Sequence, residues 1–345
     1  MALPVWCHAS TGFELMTLAR SQPDNRQHRL VLAFWLQDNR FDDDSIALGE
    51  SLYASLGTDK LVLLPPETAQ RLHPFVGALQ GWFHGVQDNS DEVARLWLLP
   101  PGSIELDPGV WLEMLTIPAG TFLMGSPKSE KNRHRHIETQ HKVTLSQPFL
   151  IGKYPVTQAQ WKAIMGSNPS RFQGDTLPVE RVSLDCAQDF CQKVLDKTGQ
   201  AVCLPNESQW EYCCRAGTST PFHFGNELNG TQANCDGDYP YGTTQKGPYR
   251  KKTTPVGSYP ANAWGVYDMH GNVFECCQIC HGIYPRKGIT DPRGPEVGSD
   301  YRIRGGSWCN GPALCRAAFR GRRGQQIEPN EFGIRLTQNA SGILK

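Results

Sequence analysis

The residues best suited to chemistry are the two thiols of Arg304-Gly305-Gly306-Ser307-Trp308-Cys309-Asn310-Gly311-Pro312-Ala313-Leu314-Cys315-Arg316. Two thiols close behind a glycine turn suit redox work or the two-sulfur linear coordination that soft Cu(I) favours. The same letters also describe one packed cysteine and one exposed one, and the spacing alone leaves both readings open. A second cluster, Cys276-Cys277-Gln278-Ile279-Cys280-His281, spells C-x-x-C-H, the haem-attachment pattern. Covalent haem attachment needs export, and a zinc site from these residues lacks a partner C-x-x-C at ribbon spacing. Buried thiols are therefore the expectation here. His134, His136 and His141 lie in and just after the basic run Lys131-Asn132-Arg133-His134-Arg135-His136, with no carboxylate or cysteine at helical spacing to complete a metal site. Such runs are solvated loops, as is KGPYRKK at 246–252, and a nucleic-acid patch would interleave aromatics.

The elements that must hold these residues belong to an ordinary globular chain. Its 345 residues are 39 % hydrophobic and 20 % charged, with 34 basic and 34 acidic side chains, so net charge names no partner. The N-terminus has no basic start followed by an apolar run, so it does not read as a signal peptide. Its longest apolar stretches are far too short to span a bilayer. The expected compartment is the reducing cytoplasm, with the twelve cysteines as free thiols. Surface display through a partner stays open. One cysteine is Cys7 and the other eleven fall between Cys186 and Cys315, which divides the chain into two regions.

Residues 1–105 give short mixed helix and strand signals ending at Leu98-Leu99-Pro100-Pro101-Gly102, and read as a small mixed α/β accessory domain for docking or assembly. From Val110 the texture is α+β. Strands are expected at Met114–Ile117, Thr121–Met124, Val143–Ile151, Tyr301–Arg304, Cys315–Arg320 and Phe332–Leu336. Helices follow the caps Thr157, Ser183 and Asn206, the first and third in capping boxes, and Gly217 closes the third. The stretch from Gly217 to about 300 is loop-rich. No strand–helix alternation supports a doubly wound or barrel fold.

Six collinear motifs then carry a family likeness: Pro118-Ala119-Gly120-Thr121-Phe122-Leu123-Met124-Gly125-Ser126 with Tyr154-Pro155-Val156-Thr157, Pro178-Val179-Glu180-Arg181-Val182-Ser183, Leu204-Pro205-Asn206-Glu207-Ser208-Gln209-Trp210-Glu211-Tyr212, Asn262 to Glu275, Arg304-Gly305-Gly306-Ser307-Trp308, and Gly333-Ile334-Arg335-Leu336. Over about 110–337 the chain resembles the formylglycine-generating-enzyme (sulfatase-modifying factor) domain. That resemblance implies a loop-rich C-type lectin-like fold, on which both enzymes and binding proteins occur. Enzymes of the family hold copper with two cysteines after Gly-Gly-Ser, followed by a structural cysteine in an Arg-Cys-Ala-Ala strand. Here Cys315-Arg316-Ala317-Ala318 matches that strand, leaving Cys309 alone.

The chain is more similar to a second branch, the variable proteins of diversity-generating retroelements, whose variable region runs from Gly-Gly-Ser-Trp to a terminal strand, here about 305–336. That likeness implies a ligand-binding protein without catalysis, with contacts at Trp308, Cys309, Asn310, Gly311, Ala313, Leu314, Phe319, Gly321, Arg323 and Gly324. Trp308 and Cys315 are expected to anchor the loop ends. Phe319, Gly321 and Arg323 are expected to share one strand face by the period of two. Apart from the anchor Trp308, each contact is reachable by changing only the adenines of an AAC codon, and the chemically mixed set suits recognition better than catalysis. The alternative is a copper-dependent formylglycine-generating or related oxygenase using Cys309. No cofactor is required on the first reading. The family likeness also implies a structural calcium at Asn272, Val273 and Glu275, against a plain turn with Glu275 paired to an arginine. A second family calcium site is matched only in its first half, by Asn234-Cys235. The ligand is unknown, with a protein or other macromolecule favoured.

Overall fold

The computed structural model describes residues 102–278, 284, 287–292, 300–324 and 330–339. The expected N-terminal domain lies almost wholly outside them. The described unit opens with a hairpin, β1 (Ile104–Asp107) and β2 (Val110–Leu112), turned at Gly109. Three further sheets follow. β3 (Met114–Ile117) and β12 (Thr337–Asn339) flank β6 (Phe149–Gly152), both antiparallel to it, so an early and a late strand of the unit share a sheet. β4 (Gly120–Met124), β5 (His141–Leu145) and the short β8 (Ile289–Thr290) form a second. The third runs β10 (Gly321–Gly324), β9 (Asp300–Arg304), β7 (Phe274–Cys276), β11 (Phe332–Gly333) and carries the C-terminal motifs.

The helices begin where their caps require. Thr157 and Asn206 each accept the N3 amide while the N3 glutamine returns to the cap's own N–H, opening α1 (Gln158–Met165) and α3 (Glu207–Arg215). Ser183 caps α2 (Leu184–Thr198). Trp161 of α1 stacks on Phe190 of α2 at 5.0 Å, sealing the larger core with Leu112, Leu150, Ile303 and Phe332. The single strand expected at Val143–Ile151 is two strands, because Ser146-Gln147-Pro148 breaks it. Pro148 has no N–H for a ladder, and Ser146 gives its N–H and hydroxyl to Asp291. The third helix ends one residue earlier than expected, with Ala216 rather than Gly217 as its left-handed cap.

The second half is held by buried ion pairs. Arg304, fully buried, donates to Glu207 (2.9 Å) and Glu211 (2.6 Å) of α3, and its guanidinium lies over the Trp210 ring. Arg320 joins Glu207, and Arg316 is bidentate on Glu138 with Glu130 beside it. Burial alone would push the Glu207 and Glu211 carboxyls up; the guanidiniums around them hold both below the usual carboxylate value. These pairs overturn the strand expected at Cys315–Arg320. A short 3-10 turn, Pro312–Cys315, is followed by an irregular crossing whose arginines reach inward to distant carboxylates, and strand pairing starts only at Gly321.

Candidate ligand-binding site

Gly305 and Gly306 both adopt left-handed φ, +92° and +73°, which reverses the chain directly after β9. A Cβ on Gly306 would overlap Cys315 Sγ and lie 3.0 Å from its Cα, so the turn and Cys315 fit only against each other. Cys315 is fully buried, and its carbonyl accepts from His270 Nδ1 at 2.7 Å. This is the frame position expected of it.

Between the anchors, main-chain bonds fix the turn. Trp308 N–H donates to Asn272 O, Asn310 N–H to Ser307 O, and Asp236 N–H to Asn310 O. The Trp308 ring is buried, donates from Nε1 to Asn330 O (3.1 Å) and meets Phe172 edge-on at 5.3 Å. Ser307 Oγ donates to Asn310 Oδ1 at 2.6 Å. Cys309 is half-buried, and its Sγ donates to Glu331 Oε2 at 2.8 Å. Burial first, and then the Glu331 carboxylate, push this thiol up to about 11, so at neutral pH it is an S–H donor rather than a thiolate nucleophile. Gly311 lies under Tyr239, whose side chain is 72 % exposed. Ala313 and Leu314 on the 3-10 turn are also partly exposed, each with one side packed on the core.

The expected contacts therefore separate. Cys309, Asn310, Gly311, Ala313 and Leu314 are all partly exposed in the one segment between the anchors, with Tyr239 against Gly311. Phe319 does not join them. It is off the strand and 8 % exposed, edge-on to His134 and near Phe274, because the inward-turned Arg316 and Arg320 draw the chain between them into the core. Gly321 pairs with Ile303, and a side chain there would run into that residue. Arg323 and Gly324 lie on β10 opposite Tyr301 and Asp300. The shared face expected for Phe319, Gly321 and Arg323 is thus not formed.

Sequence reasoning missed Phe172, Tyr239, Tyr249 and Glu331. Tyr249 carries a phenol raised by burial and by the nearby Asp236 and Cys309. Only Glu331, two residues before the Gly333 motif, lay close to a signal.

The metal expectations meet a different chemistry. Asn272 spends its side chain on its neighbours: Oδ1 accepts from Asn234 Nδ2 and Thr254 N–H, and Nδ2 donates to Thr254 O. Both Glu275 oxygens accept from Arg335, and Oε2 also from Trp210 Nε1 at 2.7 Å. A guanidinium already occupies the place of a cation, so Asn272, Val273 and Glu275 do not fit calcium in this arrangement. Copper fares no better, because Cys309 faces a carboxylate while Cys315 is sealed in the frame. His134 packs on Phe319 and His141 on Tyr284, so the histidines do not converge. Cys276 and Cys277 are buried, while Cys280 and His281 lie outside the described residues. Among the described residues no group of three or more His, Cys, Asp or Glu is arranged to hold a metal. No helix there is long and apolar enough to cross a membrane.

A family model described as the sulfatase-modifying factor enzyme 1-like domain matches residues 107–340. The chain is 28 % identical to the chaperone protein LppX of Paenibacillus barcinonensis over 57 % of this chain and 82 % of that protein. It is 29 % identical to the mouse formylglycine-generating enzyme over 56 % of this chain, and spans about half (52 %) of that enzyme's length. Among solved structures, PvdO from Pseudomonas aeruginosa superposes with a TM-score of 0.59 at 28 % identity, covering 70 % of this chain and 98 % of the other. Variable protein 1 of Treponema denticola superposes at 0.56 with 25 % identity, covering 67 % and 96 %.

Proposed function

Since this chain belongs to the sulfatase-modifying factor enzyme 1-like family over residues 107–340, we propose that it uses the family's lectin-like frame for binding and not for oxygen chemistry. Its contact ridge would be Cys309, Asn310, Gly311, Ala313 and Leu314, extended by Tyr239 and backed by Trp308, with Arg323 and Gly324 on the neighbouring strand. The observation that carries this reading is the separation of roles in the Gly305–Arg316 segment. Cys315 and Trp308 are built into the frame, while Cys309, Asn310, Gly311, Ala313 and Leu314 between them are partly exposed around the buried Pro312. Surface loops on a rigid scaffold are where contacts can change without unfolding the protein. The fold shared with the Treponema variable protein supports the same reading. A run of partly exposed side chains along one surface segment suits a protein or other macromolecule better than a small molecule, which prefers a concave pocket.

The experiment is to sequence the locus. The proposal expects a near-copy of the codons for 305–336, differing at adenines, beside a reverse-transcriptase gene. A locus without that template removes the case for retroelement diversification.

A further inference from the structure

We propose that two basic loops beside the contact segment fit it to a partner protein with a carboxylate-rich face. This rests on the binding function proposed above and names the partner by its charge. The whole chain carries 34 basic and 34 acidic residues, so an excess of one sign can come only from placement. The basic runs at 131–136 and 246–252 are far apart in sequence, and hydrogen bonds tie each to the contact segment. Arg316 ties the first, donating from Nη2 to Asn132 O and from Nε to Ala313 O, both at 3.0 Å. The second is tied through 236–239: Gly247 N–H donates to Gly237 O (3.1 Å), and Asp236 N–H to Asn310 O (2.9 Å). The Tyr241 hydroxyl, donating to Lys131 O at 2.9 Å, links the two sides.

The fold then separates the signs. The acids beside the first loop are spent inside, since Glu130 and Glu138 both bind Arg316 and their side chains are 2 % and 0 % exposed. Asp236 is buried too, and its Oδ1 accepts from the Asp238 N–H. Asp238 itself is exposed, but Lys246 faces it at 3.6 Å. Lys131, Arg135, Arg250, Lys251 and Lys252 stay exposed, and no carboxylate among the described residues pairs with them. Arg250 donates to the Tyr259 hydroxyl, and Lys251 lies over the Tyr249 ring.

The arrangement decides which polyanion. A single nucleic-acid strand wants bare aromatic rings along its cationic track. Here the first loop offers only His134, already edge-on to Phe319, and Tyr249 is taken by Lys251. A protein interface has the opposite layout, with a weakly charged centre that favours tyrosine and a polar, charged rim. The uncharged contact segment with the exposed Tyr239 supplies that centre, and the two loops supply the rim. Rim charges of one sign steer a partner of the other sign and lose their effect as salt screens them.

The test uses the full chain and fluorescent poly-L-glutamate as the probe, read by anisotropy, with single-stranded DNA of equal charge beside it. Poly-L-glutamate should bind at low salt, and about tenfold more weakly when salt rises from about 50 to about 300 mM. Lys131→Glu, Lys251→Glu and Lys252→Glu together should weaken it by about tenfold or more, and the three glutamine replacements by less. Lys162→Glu, Lys193→Glu and Lys197→Glu on α1 and α2 change the net charge equally and should leave binding within about twofold of wild type. Replacing the uncharged Cys309, Asn310, Ala313 and Leu314 should also leave it intact, so this result and the recognition reading can fail separately. No binding of poly-L-glutamate, tighter binding of the DNA, equal losses in the two lysine sets, or loss on replacing the contact segment would each overturn the proposal.

Discussion

Replacing His270 by glutamine should change how stability depends on pH more than it changes stability itself. His270 is 2 % exposed and lies beneath the site's frame, with Nδ1 on Cys315 O and Nε2 accepting from the His223 N–H at 3.1 Å. Burial, then the neighbouring His223, push its pKa from the ordinary 6.5 down to about 3. The folded protein thus keeps the ring neutral where the unfolded chain protonates it. Its contribution is complete above pH 6.5 and is lost as the pH falls towards 3. At pH 5 the unfolded chain gains about 1.5 pKa units of protonation that the fold refuses, or about 2 kcal/mol. Glutamine can donate to Cys315 O or accept from His223 N–H, but takes up no proton when unfolded. The stability gap between wild type and His270→Gln should therefore shrink by about 2 kcal/mol between pH 7.5 and pH 5 in urea unfolding followed by tryptophan fluorescence. His223, also lowered by burial, is present in both proteins and largely cancels. A gap that stays constant across that range would mean that His270 titrates normally and that the buried neutral imidazole is wrong.

Further outcomes follow from the same geometry. Gly306→Ala forces a side chain into left-handed backbone against Cys315 and should cost about 2–4 kcal/mol, or about 6–12 °C in a circular-dichroism melt. Gly311→Ala has φ −66° and only an ordinary contact at 3.4 Å with Tyr239, so it should stay within about 0.5 kcal/mol of wild type; similar losses for the two would refute the division into frame and ridge. Arg335→Met strands the buried Glu275 carboxylate and should cost about 3–5 kcal/mol, partly recovered by adding Glu275→Leu, in chemical unfolding. In competition with a Cu(I) chelator the protein should not retain copper. Tight binding abolished by Cys309→Ser, with oxidation of a cysteine-containing peptide, would establish the oxygenase alternative.

What could be read from the letters was local. The caps at Thr157, Ser183 and Asn206 place the three α-helices of the described residues because a capping bond spans three residues. The position of Cys315 also followed from motif order. Local pattern misled where distant charges decide the backbone: Cys315–Arg320 looks extended, yet Arg316 and Arg320 turn inward to Glu138 and Glu207 and bury Phe319 with them. Tyr239 and Glu331 lie some 70 residues before and 22 after Cys309, and only the folded chain brings them to it or its neighbours. The surroundings of the expected calcium ligand Glu275 were hidden for a related reason, since one arginine sixty residues away takes both of its oxygens.

The most direct measurement replaces Cys309, Asn310, Ala313 and Leu314 together with unrelated residues and records both melting temperature and binding to the partner recovered by the wild type. The account predicts a folded protein within about 3 °C of wild-type Tm that has lost that partner, because the ridge carries recognition and little stability. Unfolding on the scale of Gly306→Ala, or binding that survives the replacement, would contradict it.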